Sequence, residues 1–95
     1  MKEKREKSIL AAALKFDPFR DIAPRVKAKG RGLIAEKIIS LAKKHNIPIK
    51  DDPALVEVLM RLDVDETIPT ELYQAVAEIL AFVYNLNRKR KEEIS

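Results

Sequence analysis

The sequence predicts a small α/β domain: a mixed sheet of about three to four strands, including a parallel strand–helix–strand unit, flanked by three helices. Three observations predict it. Residues 10–16 are apolar at six of seven positions and stop at Asp17-Pro18, as a buried strand ending in a turn would. Residues 33–45 and 70–87 carry apolar residues at helical spacing, and helices with such faces need a sheet to pack on. At 95 residues the chain is the size of one small domain.

Each element can be justified in order. Residues 1–8 begin with a charged stretch that has no periodic apolar face and read as an extension; residues 9–87 form the domain, and residues 88–95 a charged tail. The alanines at 11–13 favour helix locally, but the later helices decide for a strand covered on both faces. Pro18 fixes its own φ and pushes Asp17 out of the helical region, which ends that strand sharply. Residues 17–24 hold two prolines and three charges and form a surface loop, with Phe19 and Ile22 expected to fold back on the core. Residues 25–29 alternate, Val26 and Ala28 pointing one way and Arg25, Lys27 and Lys29 the other, as in an edge strand whose charges discourage aggregation.

Gly30-Arg31-Gly32 punctuates that strand and a helix follows over residues 33–45. Its expected inner face is Ile34, Ile38, Leu41 and Ala42, with Ala35 beside it. Lys43, Lys44 and His45 suit the negative end of its dipole. Ile47-Pro48-Ile49 is expected as a short strand, parallel to the one before the helix through a right-handed crossover. Asp52 with Pro53 starts a second helix, whose inner face is Leu55, Val58, Leu59 and Leu62. After an acidic loop over residues 63–69, Thr70 is expected to cap the last helix, running to about residue 87. Leu72, Val76, Ile79, Val83 and Leu86 make one apolar stripe of it, and Tyr73, Ala77, Leu80 and Tyr84 lie alongside, so this helix is expected to be mostly buried. Phe82 falls within its polar stripe of Glu71, Gln74, Glu78 and Asn85, covered by residues 1–8 or a loop, or else part of a contact surface.

Composition narrows function. The apolar fraction of 46% supports a core, and the charged fraction of 36% a well-hydrated surface. Without cysteine there is no disulfide framework and no thiol chemistry. No apolar run approaches the roughly 20 residues that span a bilayer, and the basic start lacks the apolar core of a signal peptide, so a cytoplasmic location is expected. The net charge of +4 is unevenly spread: Arg25, Lys27, Lys29 and Arg31 cluster, as do residues 88–91, while residues 50–71 are acidic. The molecule is therefore expected to be a dipole.

Catalytic and cofactor signatures are weak. Gly30-Arg31-Gly32-Leu33-Ile34-Ala35 fits G-x-G-x-x-A between a strand and a helix, with Asp51 and Asp52 about 20 residues on. The domain is too small for a dinucleotide fold and the preceding strand is polar, so two turn glycines explain the match. His45 is the single histidine and sits at a helix end; Asp51-Asp52 and Asp63-x-Asp65-Glu66 lack a calcium-loop pattern. No enzyme, cofactor or metal is expected. The basic clusters leave a nucleic-acid- or polyanion-binding domain as the alternative class, but most aromatic residues read as core, so no nucleic acid is expected among its partners.

A set of linked motifs carries a resemblance. Leu10-Ala11-Ala12-Ala13-Leu14-Lys15-Phe16-Asp17-Pro18 is followed by Ala23-Pro24, Val26, Ala28-Lys29-Gly30 and Ile47-Pro48-Ile49. Then come Ile68-Pro69, Glu71-Leu72-Tyr73, Ala75-Val76-Ala77-Glu78 and Leu80-Ala81-Phe82-Val83-Tyr84. In this order and spacing, over about residues 10–86, the chain resembles the cytoplasmic C-terminal domain of the FlhB/YscU family, the switch proteins of the flagellar and type III secretion export apparatus. The resemblance implies a non-enzymatic interaction module that takes part in export substrate recognition and specificity switching, with export-apparatus proteins or export substrates as partners. It also implies what is different. The family's Asn-Pro-Thr-His autocleavage motif would fall on Glu6, Lys7, Ser8 and Ile9, which offer neither the asparagine that cyclises nor the proline that sets the turn. No self-cleavage is expected. Family members carry a membrane domain and a further strand ahead of the motif, so a stand-alone version is expected here, with the edge or exposed face of its first strand open to a partner. The surface residues singled out as contacts are Lys27, Lys29, Arg31 and Phe82.

Overall fold

The computed structural model describes the backbone of residues 9–94 and the side chains of residues 9–84. Two strands, β1 (Leu10–Lys15) and β2 (Arg25–Arg31), pair antiparallel from Leu10↔Arg31 to Lys15↔Arg25. Ala13 faces Ala28 but Leu14 faces Val26, so Lys27 is the extra residue of a β-bulge. Helices α1 (Leu33–Lys44), α2 (Pro53–Leu59) and α3 (Tyr73–Ile94) follow, with one 3₁₀ turn, Thr70–Leu72, leading into α3.

The sheet is covered on both faces, as the apolar run of β1 requires. Ala12 and Leu14 turn toward the main core of Ala23, Leu55, Leu59, Ile68 and Val76, which α2 and α3 close. On the opposite face, Ala11 pairs with Gly30, and a Cβ on Gly30 would collide with the Ile34 side chain of α1. Gly30 thus lets α1 approach, and Gly32, at φ 62°, makes the left-handed corner that starts α1. Both glycines of the G-x-G-x-x-A match are accounted for by folding.

Four expectations need correction. Among the described residues the sheet has two strands, antiparallel, and Ile47-Pro48-Ile49 forms no parallel strand. The reason is the end of α1. Asn46 adopts φ 59°, its N–H bonds to Lys43 O, and the Ile47 N–H bonds to Ala42 O at 2.8 Å, a Schellman closure. Ile47 has therefore spent its donor and Pro48 has none, so a ladder cannot form there. The segment that lies along β2 is instead the acidic loop: Val26 donates to Glu66 O, Asp65 to Val26 O, and Ile68 to Pro24 O. The basic strand and the acidic loop are neighbours, and Lys27 pairs with Asp65 between them.

The inner face of α1 is turned from the one expected. Ala35 is fully buried and Ile38, Ile39 and Ala42 are half-buried, whereas Ile34 and Leu41 are exposed. The close approach at Gly30 centres α1 on its smallest apolar residue. Thr70 caps no helix through its side chain; it opens the 3₁₀ turn after Pro69. Finally, α3 runs on to Ile94, through residues that are good helix formers with no proline or glycine to stop them. By contrast, Asp52 caps α2 as expected, accepting from the Leu55 N–H at 3.1 Å with Pro53 in the first turn, and Leu55 and Leu59 are buried beneath it.

Candidate functional site

The loop between β1 and β2 builds the most distinctive surface. Asp17 organises it. Its carbonyl accepts from the N–H groups of Arg20 and Asp21, its Oδ1 accepts from the Phe19 N–H at 3.0 Å, and its own N–H bonds to Asp21 Oδ2 at 2.9 Å. These four bonds hold residues 17–21 as an Asx-type turn. Phe19 is 95% exposed and Ile22 97% exposed, so neither folds back on the core.

Beside this loop lies an apolar groove of about 180 Å³. Phe16, Ile22, Ala23 and Pro24 line it from the strand and loop, Ile68 from the segment before the 3₁₀ turn, and Tyr73, Val76, Ala77 and Leu80 from α3. Its base is buried (Ala23, Ile68 and Val76), while Tyr73 and Ala77 are exposed. The α3 stripe of Tyr73, Ala77, Leu80 and Tyr84 is therefore not buried as expected: Tyr84 is 63% exposed and only Leu80 is half-buried. This volume is below the roughly 300–1,000 Å³ of small-molecule pockets and fits an apolar side chain of a partner. Its buried base and exposed walls leave apolar surface open to solvent on this face.

The residues singled out in the sequence are placed otherwise. The Lys27 ammonium donates to Asp65 Oδ1 at 2.9 Å, between two exposed side chains. That hydrogen bond, and then the charge of Lys27, hold the Asp65 carboxyl below its usual range; slight desolvation opposes this and Arg25 adds to it. The Lys29 ammonium donates to Met60 O at 2.9 Å, closing the end of α2. Arg31 is exposed, beside a recess shared with Leu10, Glu57, Met60 and Arg61. Phe82 is half-buried with the Lys50 ammonium 5.7 Å from its ring centre, a contact from the loop after Ile49. Glu6, Lys7 and Ser8 lie outside the described residues, and so do residues 1–8 as a cover for Phe82. No strand pairs with the outer edge of β1 among the described residues. His45 ends α1 on the surface.

The groove residues Ala23-Pro24, Ile68, Tyr73, Val76, Ala77 and Leu80 fall on the same motif segments that carry the resemblance. Residues 8–83 match the model of the FlhB HrpN YscU SpaS family. The chain belongs to this family. Its FlhB/YscU relatives include an uncharacterized protein, YlqH, of Bacillus subtilis, 47% identical over 87% of this chain and 89% of YlqH. The flagellar biosynthetic protein FlhB of Yersinia enterocolitica is 43% identical over 86% of this chain but 22% of its own length, so the chain spans about a fifth of that relative. The crystal structure of the cytoplasmic domain of FlhB from Shewanella putrefaciens superposes with a TM-score of 0.82 at 38% identity, covering 87% of this chain and 65% of that one. The PscU C-terminal domain superposes at 0.73 with 28% identity, over 77% and 94% of the two chains. No helix among the described residues is long and apolar enough to cross a membrane.

Proposed function

We propose that this chain is a non-catalytic interaction module of the flagellar or type III export apparatus. It works on the cytoplasmic side and takes part in recognition of export substrates and in switching between them. Its groove between the β1–β2 loop and α3 receives an apolar side chain from an export substrate or from a component of the apparatus. The observation that carries this is the groove itself: an apolar seat with a buried base and exposed Tyr73 and Ala77 walls, on a domain of this family. The relatives that carry the name flagellar biosynthetic protein FlhB support the pathway.

Lys27, Lys29 and Arg31, and separately Phe82 beside Lys50, are secondary contact candidates, the two lysines weaker because they already have partners within the fold. The polyanion alternative finds no support, since the acidic loop answers the basic strand. Residues 6–9 do not self-cleave; intact-mass spectrometry of the purified chain gives the full-length mass under this reading, and two fragments split within residues 6–9 would contradict it.

The test is complementation. A cell carrying a membrane-bound FlhB cut before its cytoplasmic domain receives this chain separately, and secretion of early and late export substrates is measured. Restored secretion that is lost again with Ala77→Glu supports the proposal. Absence of restoration, with folded protein at wild-type levels and a functional control in the cell, counts against it.

A further inference from the structure

We propose that the exposed side of α1 is a seat for an anionic lipid surface, on which the domain rests with this helix lying along the bilayer. The proposal goes beyond the groove reading and does not depend on it. At about 100° per residue, Leu33, Lys44, Lys37, Leu41 and Ile34 follow one another around α1 within an arc of about 100°. All five are exposed, while Ala35, on the far side, is fully buried. Glu36, the one acidic residue of the helix, lies outside that arc. The arc therefore carries three large aliphatic side chains and two ammonium groups, with no carboxylate. The end of the helix extends it. The Schellman closure at Asn46 brings Ile47, whose N–H bonds to Ala42 O, back beside the turn that carries Leu41, and Ile47 is exposed as well.

The composition of this face chooses the occupant. Protein contacts are enriched in aromatic residues, methionine and arginine and depleted in lysine. This arc has none of the enriched types, and two of its residues are lysines. A lipid surface takes the opposite mixture. Leucine and isoleucine enter the boundary between headgroups and acyl chains, and lysine stems run beside them so that the ammonium groups reach the phosphates. The ion pairs among the described residues use neither Lys37 nor Lys44, so both charges face outward unspent. At 12 residues α1 is about 18 Å long and lies on the surface rather than through it; no helix among the described residues is long and apolar enough to cross. A few aliphatic side chains with two charges hold weakly, so the contact is reversible and sensitive to salt.

The test is cosedimentation of the full chain with vesicles of equal parts phosphatidylcholine and phosphatidylglycerol, beside vesicles of phosphatidylcholine alone, at low salt. The chain should bind the mixed vesicles, bind the neutral ones several-fold less, and come off as salt is raised. Each lysine near an anionic surface is worth about a fivefold change in binding, so Lys37→Gln with Lys44→Gln should weaken it roughly tenfold or more. Leu33→Ser with Leu41→Ser should weaken it several-fold while the thermal midpoint stays near that of wild type, since Leu33 is 82% exposed and Leu41 47%. In a chain whose residues 88–91 are all changed to glutamine, binding should persist and still fall with Leu33→Ser and Leu41→Ser. A wild-type chain that ignores the mixed vesicles overturns the proposal and leaves this face to a protein partner. Binding that vanishes with the charges of residues 88–91, or that is indifferent to Leu33 and Leu41, overturns it as well, as attraction by charge alone. Ala77→Glu should bind vesicles as wild type does, so failure of the groove reading and failure of this one are told apart.

Discussion

The basic strand and the apolar groove stand on neighbouring parts of one small fold and have opposite fates. Lys27 and Lys29 look like an open cationic patch in the sequence, yet one meets Asp65 and the other closes the end of α2 at Met60 O. Phe19, Ile22, Tyr73 and Ala77 look like core in the sequence, yet all four are exposed. The difference teaches that charge marks a contact surface only after internal partners are subtracted. Apolar residues mark one only after the core has been filled.

The sharpest way to break the comparison is at the residue both regions share. Ile68 is 3% exposed, lines the groove, and donates its N–H to Pro24 O beside β2. Ile68→Ala should lower stability by about 2–4 kcal/mol in urea unfolding, because it leaves a cavity under both regions. Next comes Ala77→Glu. It should cut export in the complementation assay at least tenfold while shifting stability by no more than about 0.5 kcal/mol, since Ala77 is exposed. Loss of export with parallel loss of stability would show that the groove is only a packing site.

Smaller effects belong to the strand. Lys29→Met removes the donor to Met60 O and should cost about 1 kcal/mol in the same unfolding experiment, with export reduced at most a few-fold. A large export defect at wild-type stability would move the contact surface to the strand. The smallest effect is at Asp65. Its carboxyl pKa is lowered in the folded state, so its contribution is present above the unfolded value near pH 4 and is lost as pH falls through the folded value. Asp65→Asn should therefore lower the thermal midpoint slightly at pH 7, and not at all once the pH has fallen below the folded value. An equal effect at both pH values would mean that the Lys27 pair is not its source.

What was legible in the sequence follows from how local the signal is. β1, with its stop at Pro18, and α2, with Asp52 and Pro53, are set by neighbours in the chain, and both stand where expected. The absence of a strand at Ile47-Pro48-Ile49 turned on Asn46 adopting a left-handed conformation, which its residue type permits without requiring. The segment that lies along the other edge of β2 comes from residues 65–68, about 40 positions away, and alternation of residue types carries no record of it. The groove was half legible. Its α3 stripe was visible as a second apolar stripe, but the outward turn of Ile22 and Phe19 depends on four hydrogen bonds around Asp17. The Asp-Pro-x-x-Asp spacing was the one signal that could have found it.

The most direct measurement is site-specific photocrosslinking in exporting cells, with benzoylphenylalanine at Ala77 in one strain and at Arg31 in another, adducts being identified by mass spectrometry. The groove reading predicts adducts to an export substrate or export-apparatus protein from Ala77, several-fold stronger than any from Arg31. Such adducts from Arg31 with none from Ala77, both variants being folded and present at equal levels, would contradict it.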